Sequence, residues 1–165
     1  MKFTLDWLKD HLDTSENLKT ITDTLTNIGL EIEKVEDKSE NFKNFTVAKV
    51  LKAEKHPDAD KLKVCQVKTS SGNFQVVCGA PNAKEGMLGI FAPENSYIPG
   101  TQLLLKKTKI RGVESCGMLV SEREMGISDE HEGIIEINDK YKIGEQFSKI
   151  FKLDEPIIEI NLTPN

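Results

Sequence analysis

The sequence predicts a mainly β protein with an α+β flank, in which a small barrel is inserted into an α/β unit formed by the two termini. Three observations support this prediction. Short stretches of alternating apolar and polar residues, separated by turn residues, fill the middle of the chain. Apolar residues before position 30 recur at helical spacing. Strand-like segments stand at 30–35 and again at 157–162.

Two helices are expected near the N-terminus. The first covers residues 4–13, where leucines recur three and four positions apart. The second covers residues 16–28, with Thr14 or Ser15 as its cap. Gly29 stands where a glycine commonly ends a helix, so the second helix is expected to stop there.

A domain boundary is expected in the polar, turn-rich segment 37–44. The strand at 30–35 precedes it, and a strand at 157–162 follows Pro156 near the end of the chain. We expect these two strands to pair, which would make the barrel an insertion in the first domain. The predicted organisation is therefore residues 1–41 as half of a small α/β domain, 42–150 as the inserted domain and 151–165 as the returning strand.

The middle of the chain supplies five or six short strands. They are expected at 45–54, 62–69, 74–78, 86–91, 101–110 and 134–137. The alternation is disturbed near Leu51, which predicts a β-bulge in a long first strand. This number of short strands with turns between them fits a Greek-key barrel of the OB type.

Charge is distributed unevenly along the chain, although the net charge is −5. Residues 42–126 carry 13 Lys and Arg against 8 Asp and Glu, whereas the flanks carry 9 against 19. A basic middle between acidic ends suggests that the middle meets a polyanion. The flanks are expected to serve packing or a protein partner, and the modest positive charge predicts weak, auxiliary binding of the polyanion.

The segment 106–126 carries the most distinctive charge pattern. Lys107, Lys109 and Arg111 alternate with Thr108 and Ile110, so a strand here would place three cations on one face. Such a face suits the phosphates of a polyanion. A solvated edge strand protected from aggregation by lysines fits the pattern equally well.

Three separated blocks resemble the tRNA-binding OB-fold module of bacterial phenylalanyl-tRNA synthetase β subunits, methionyl-tRNA synthetases and free-standing tRNA-binding proteins. They read HPDADKLKVCQV at 56–67, VVCGAPN at 76–82 and KIRGVESCGM at 109–118. The ends of the chain, MKFTLDWL at 1–8, IGLEIE at 28–33 and IEINLTPN at 158–165, resemble the start of the synthetase β subunit and the point where its first domain resumes.

The resemblance implies a tRNA-binding N-terminal region that assists the attachment of phenylalanine to tRNA without carrying the catalytic site. Its implied partners are tRNA, the synthetase α subunit and the remaining β-subunit domains. It implies no cofactor for this part, with ATP and Mg expected only for the whole synthetase, and it suggests that the chain is a fragment of a longer subunit. Three cysteines without a Cys-x-x-Cys motif indicate a reduced cytoplasmic setting, and no membrane is expected as a partner.

Eight residues are candidates for tRNA contact, some from the basic pattern and some from the resemblance. They are Lys61, Asn82, Lys107, Lys109, Arg111, Ser115, Met118 and Ser121. For Asn82, a hydrogen bond to a base and one within its own loop are equally favoured. Ser115 is interpreted as a phosphate or sugar contact, because no nearby histidine would activate the adjacent Cys116 as a nucleophile.

Two alternatives remain. His56, Asp58 and Asp60 form a candidate metal cluster, but they match no coordination motif, and capping of a turn is favoured. The whole region could instead be a structural module that docks within the synthetase, or a free-standing tRNA-binding protein. No Walker loop, dinucleotide fingerprint, zinc-protease motif or class-II synthetase motif is present in the sequence, so we expect no catalysis from this chain alone.

Overall fold

The computed structural model describes residues 1–162, which form two compact units. Unit 1 consists of Met1–Glu40 and the chain from Phe151 onward, and unit 2 consists of Asn41–Ile150. Within the described part of the chain, no helix has the length and apolar character needed to cross a membrane.

Unit 1 contains two helices and a three-stranded antiparallel sheet. Its elements are β1 (Lys2–Thr4), α1 (Leu5–His11), α2 (Leu18–Asn27), β2 (Glu31–Glu36) and β12 (Ile157–Asn161). The sheet order is β1-β12-β2, so β12 is the central strand, and its Ile158 and Ile160 are buried. The predicted pairing of segment 30–35 with segment 157–162 is confirmed by the β2–β12 register. Residues 163–165 of the predicted returning segment lie outside the described residues.

Side-chain caps set the start of both helices. Thr4 Oγ1 accepts a hydrogen bond from the Trp7 backbone N–H at 3.2 Å, so α1 begins as its pattern predicts. The cap of α2 is Asn17, whose Oδ1 accepts from the Thr20 N–H at 3.0 Å, and not Thr14 or Ser15. Asparagine caps a helix at least as well as serine or threonine. Asn17 lies three residues before Thr20, whose N–H has no partner within the helix.

Unit 2 is built on a five-stranded antiparallel sheet with the order β11-β6-β3-β4-β5. Its elements, after α3 (Ser39–Phe42), are β3 (Thr46–His56), β4 (Ala59–Thr69), β5 (Gly72–Cys78), β6 (Leu88–Ala92), β7 (Tyr97–Ile98), β8 (Leu103–Leu104), β9 (Thr108–Ile110), β10 (Val113–Ser115), β11 (Met118–Leu119) and α4 (Phe147–Ile150). The β3–β4 register shifts between Val50 and Lys52, which confirms the predicted bulge near Leu51. Alternate residues of β3, β4 and β5 supply the core, including Val50, Val67 and Val76.

Two predicted strands of unit 2 are wrong. Segment 101–110 is divided into β8 and β9, because Leu105 turns back to bond Ser96 and Asn95 and so interrupts the strand. Segment 134–137 forms no strand and contributes one isolated bridge, between Ile137 and Leu88. Within the described residues the sheet hydrogen bonds do not form a closed barrel, although Cys116 N–H donates to the Gln75 carbonyl of β5 at 2.8 Å.

Candidate nucleic-acid interface

A two-residue turn connects β9 to β10 and presents Arg111 at its tip. Ile110 pairs with Val113, so only Arg111 and Gly112 lie between the strands. Both have positive φ, 48° and 82°, as a type I′ hairpin turn requires. Gly112 adopts this conformation without a Cβ penalty. Arg111 therefore lies in the turn, and Lys107 precedes β9, so the expectation of three cations on one strand face is wrong: only Lys109 lies in the strand.

Glu114 lies between those two lysines. It is the cross-strand neighbour of Lys109, and its Oε1 lies 2.7 Å from Lys107 Nζ. The hydrogen bond from Lys107, reinforced by that from Cys116, lowers the pKa of the Glu114 carboxyl below its usual value. The same contact raises the pKa of Lys107. All of these groups lie near the surface, so water or another anion can replace Glu114 as the partner of Lys107.

The β3–β4 turn is attached to the tip of this hairpin. His56 Nε2 donates to the Ile110 carbonyl at 3.0 Å, and His56 Nδ1 accepts from the Asp58 N–H at 3.0 Å. The Asp58 donor assigns the ring proton to Nε2, because Nδ1 must accept. Arg111 Nη1 adds a bond of 3.2 Å to the Asp58 carbonyl. These three contacts hold two distant segments of sequence together.

The attachment brings a fourth cation toward the hairpin. Lys61 is exposed and follows Asp58 by three residues, so their Cα atoms are at most about 11 Å apart. We call Lys61, Lys107, Lys109 and Arg111 the basic rim. All four side chains are exposed, and all four are among the residues that the sequence singled out.

Asn82 has a structural role that accounts for both of its polar atoms. Its Nδ2 donates to the Ile134 carbonyl at 2.8 Å, and its Oδ1 accepts from the Ile134 N–H at 2.9 Å. A Cβ on the neighbouring Gly133 would lie only 2.8 Å from Asn82 Oδ1, so the two segments are closely packed. The amide ties segment 134–137 to the sheet, and each of its two polar atoms already has a backbone partner.

The two serine candidates are also used inside the unit. Ser115 is 3% exposed, and its Oγ accepts from the Val77 N–H and donates to the Gly117 carbonyl. Ser121 is buried, and its N–H and Oγ both bond Glu124 Oε2. Met118 lies in β11 and lines a cavity of about 260 Å³ together with Ser121. Neither serine offers the exposed hydroxyl that a phosphate contact needs.

In the candidate metal cluster of His56, Asp58 and Asp60, the side chains of His56 and Asp60 are bonded to other protein groups. Asp60 pairs with Lys55 at 2.7 Å, and the two ring nitrogens of His56 are both hydrogen-bonded. Among residues 1–162, no group of three His, Cys, Asp or Glu is arranged to hold a metal ion. Burial and the adjacent Glu114 carboxylate raise the pKa of the Cys116 thiol, which disfavours the thiolate that a nucleophile requires.

A second basic feature became visible only through the strand register. Lys49 of β3 and Lys68 of β4 are direct cross-strand partners, and both are exposed. The Cβ atoms of such partners are about 5 Å apart, and like charges on the two side chains destabilise the pair. The sequence alone gives no strand register that would bring these two lysines together.

The opposite charge collects elsewhere in unit 2. A cavity of about 350 Å³ is lined by four glutamates together with Asn82 and its neighbours. These glutamates are Glu122, Glu130, Glu132 and Glu136. A phosphate would be repelled from this side, so charge alone favours the basic rim as the face that meets a polyanion.

Comparisons with known proteins agree with this geometry. Residues 45–146 match the family described as "Putative tRNA binding domain". The chain is 55% identical over 167 residues to the phenylalanine–tRNA ligase β subunit of Mesorhizobium japonicum and 54% identical over 166 residues to that of Brucella abortus. Each alignment covers all of this chain but only 21% and 20% of the relative, so the chain spans about a fifth of their length.

A similar solved structure is the MetRS-related protein from Pyrococcus horikoshii. It is 26% identical, with a TM-score of 0.46, and the alignment covers 62% of this chain and 86% of that chain.

Proposed function

The chain belongs to the tRNA-binding domain family, and we propose that it binds tRNA electrostatically. It does so at the N-terminal end of a phenylalanine–tRNA ligase β subunit. The basic rim makes the contact, and the chain assists aminoacylation without carrying the catalytic site. The α subunit and the remaining β-subunit domains are its proposed partners, in the cytoplasm. ATP and Mg belong to the whole ligase, outside this region.

The observation that carries this proposal is the attachment of two basic segments to each other. The His56 and Arg111 bonds hold the β3–β4 turn against the β9–β10 hairpin, so cations far apart in sequence act as one surface. Four phosphate contacts correspond to a slope of log affinity against log salt of about −3 to −4. Glu114 neutralises part of the Lys107 charge, so we expect a slope closer to −3 than to −4.

We further propose an OB-type Greek-key barrel over residues 42–150, inserted into a small α/β domain made of 1–41 and 151–165. The strand order of unit 2 and the Cys116–Gln75 bond at the edge of β5 support a barrel. The two compact units support the insertion. OB barrels commonly bind nucleic acid through a sheet face and its adjoining loops, which is consistent with a rim at the end of β3, β4, β9 and β10.

A second function, docking within the ligase, is favoured by one observation in unit 1. The two helices and the C-cap residues that follow them leave large apolar side chains exposed, among them Trp7, Leu12 and Ile28. Trp7 is 48% exposed, and its ring contacts the rings of Phe3 and His11. Exposed apolar surface of this kind is typical of protein–protein contact. Co-migration of the chain with the α subunit and the remaining β domains would establish docking.

The tRNA proposal is tested by anisotropy of labelled tRNA at several salt concentrations. Lys61→Ala combined with Lys109→Ala should weaken binding uniformly across tRNA species and reduce the salt slope by about two. Lys9→Ala combined with Lys19→Ala makes the same charge change in unit 1 and serves as the matched control. Equal losses in both double variants would mean that net charge, and not the basic rim, governs binding.

A further inference from the structure

The β7–β8 hairpin exposes an aromatic ring and a leucine side by side. Tyr97 and Leu104 are direct cross-strand partners, and they are 52% and 48% exposed. Partners in an antiparallel pair project from the same face. Within the described residues, the Tyr97 ring has no hydrogen bond, ring contact or cation contact. We call Tyr97 and Leu104 the hairpin platform.

The platform is held rigidly, although it is exposed. At its base, the Asn95 N–H donates to the Leu105 carbonyl at 2.7 Å, and the Leu105 N–H donates to the Ser96 carbonyl at 2.8 Å. At its tip, the Gly100 N–H donates to the Glu124 carbonyl at 2.8 Å. Ile98, next to Tyr97, is completely buried and anchors the strand. A ring on such a support loses little conformational entropy when a ligand covers it.

The platform continues directly into the basic rim. Leu104 is followed two residues later by Lys106 and three residues later by Lys107, and both lysines are exposed. Two residues span at most about 7 Å, so an ammonium group can lie beside the platform. The bond from the Asn95 N–H to the Leu105 carbonyl places the start of the hairpin two residues from Lys107.

We propose that Tyr97, supported by Leu104, stacks on an unpaired base of the RNA whose phosphates follow the basic rim. This inference rests on the proposed function and deepens it. It specifies that the RNA bound along the basic rim has at least one unpaired base. Lysines next to the platform would attract the phosphates of a nucleic acid. Every base has a π face, so an aromatic ring beside a cationic groove suits single-stranded RNA of any sequence.

The test measures the affinity of the full chain for tRNA, for a single-stranded RNA and for a blunt RNA duplex of equal length. Tyr97→Ala should weaken binding to tRNA and to the single strand by roughly 5- to 150-fold. Binding to the duplex should not change, because its bases are already stacked. The salt slope should not change either, because no phosphate contact is removed.

Three further variants separate stacking from other effects. Tyr97→Phe keeps the ring and should bind like the wild type, whereas Tyr97→Leu keeps an apolar side chain without a ring and should bind like Tyr97→Ala. Tyr141→Ala, which removes the other tyrosine of the chain, is the matched control and should not change affinity. Thermal unfolding of each variant verifies that the substitutions leave the fold intact.

The outcomes distinguish this inference from the proposed function. Salt-dependent tRNA binding that Tyr97→Ala leaves unchanged would overturn the stacking role alone. A loss of equal size on the duplex would overturn it as well, because stacking on an unpaired base would not explain that loss. If the wild-type chain bound none of the three RNAs at low salt, the proposed function and the stacking role would both fail.

Discussion

Glu114 determines how much of the basic rim is available to a phosphate. Its carboxylate holds Lys107 at 2.7 Å and is the cross-strand partner of Lys109. An incoming phosphate must compete with this carboxylate for Lys107. We therefore propose that Glu114 limits the affinity of the basic rim for a phosphate.

Glu114→Gln should strengthen tRNA binding severalfold and steepen the salt slope by up to about one unit, because Lys107 becomes available to a phosphate. The lowered pKa of Glu114 means that the carboxyl stays ionised as pH falls from 7 toward 5, and loses its charge only below its usual value. The advantage of the variant should therefore be constant between pH 7 and 5. Glu85→Gln, an exposed site outside the rim, is the control; an equal gain there would refute the specific role of Glu114.

Gly100, at the tip of the β7–β8 hairpin, is packed closely against the backbone of Arg123 and Glu124. A Cβ at this position would lie 1.9 Å from the Arg123 carbonyl oxygen, so backbone would have to move. Gly100→Ala should lower the free energy of unfolding by about 1–3 kcal/mol or more. In Gly79→Ala the new Cβ would meet only the Leu62 side chain at 3.3 Å, and the cost should be much smaller. Denaturant unfolding of both variants checks the difference, and similar stabilities would contradict it.

Polar side chains were the hardest residues to assign from sequence. The exposed cations of the rim could be predicted, because lysine and arginine remain in solvent in most folds. Asn82, Ser115 and Ser121 could not, because their partners are backbone groups brought close only by tertiary structure. A polar residue in a turn looks the same in sequence whether it meets a ligand or a distant carbonyl.

At the scale of elements, the sheet pairs two lysines that repel each other. Lys49 and Lys68 face each other across β3 and β4. Lys68→Gln should raise the free energy of unfolding by about 0.2–1 kcal/mol at low salt. The gain should disappear in molar salt, where the screening length falls to about 3 Å. Lys52→Gln, which faces Gln66 across the same strands, should give no comparable gain; if it did, repulsion within the pair would not be the cause.

The long strands and the two helices of unit 1 could be predicted from the sequence, whereas the short strands could not. The β3, β4 and β5 strands and both helices of unit 1 have a clear period and clear turn or cap residues. Segment 101–110 is apolar enough for a single strand, but the Leu105 bonds to Ser96 and Asn95 break it. Segment 134–137 is apolar because it is buried against the sheet, where Asn82 bonds the Ile134 backbone. Burial without pairing cannot be distinguished from a strand by composition.

At the scale of the whole molecule, the two units carry opposite charge. Residues 41–150 contain 16 Lys and Arg against 14 Asp and Glu, a net +2, whereas the rest of the chain is at −7. The isolated segment 41–150 should therefore bind tRNA at least as tightly as the full chain at low salt, because the acidic residues that oppose the polyanion are removed. Anisotropy titrations of both proteins test this. A folded segment that binds much more weakly would show that unit 1 contributes to the contact.

The central claim is that tRNA meets the basic rim of unit 2. Its most direct test is an NMR titration of the ¹⁵N-labelled chain with tRNA at low salt, following every backbone amide. We expect the largest shifts and line broadening at the β9–β10 hairpin, around Lys61 and at Tyr97. Changes confined to unit 1 or to the glutamate-lined cavity near Asn82, or no changes at any tRNA concentration, would contradict it.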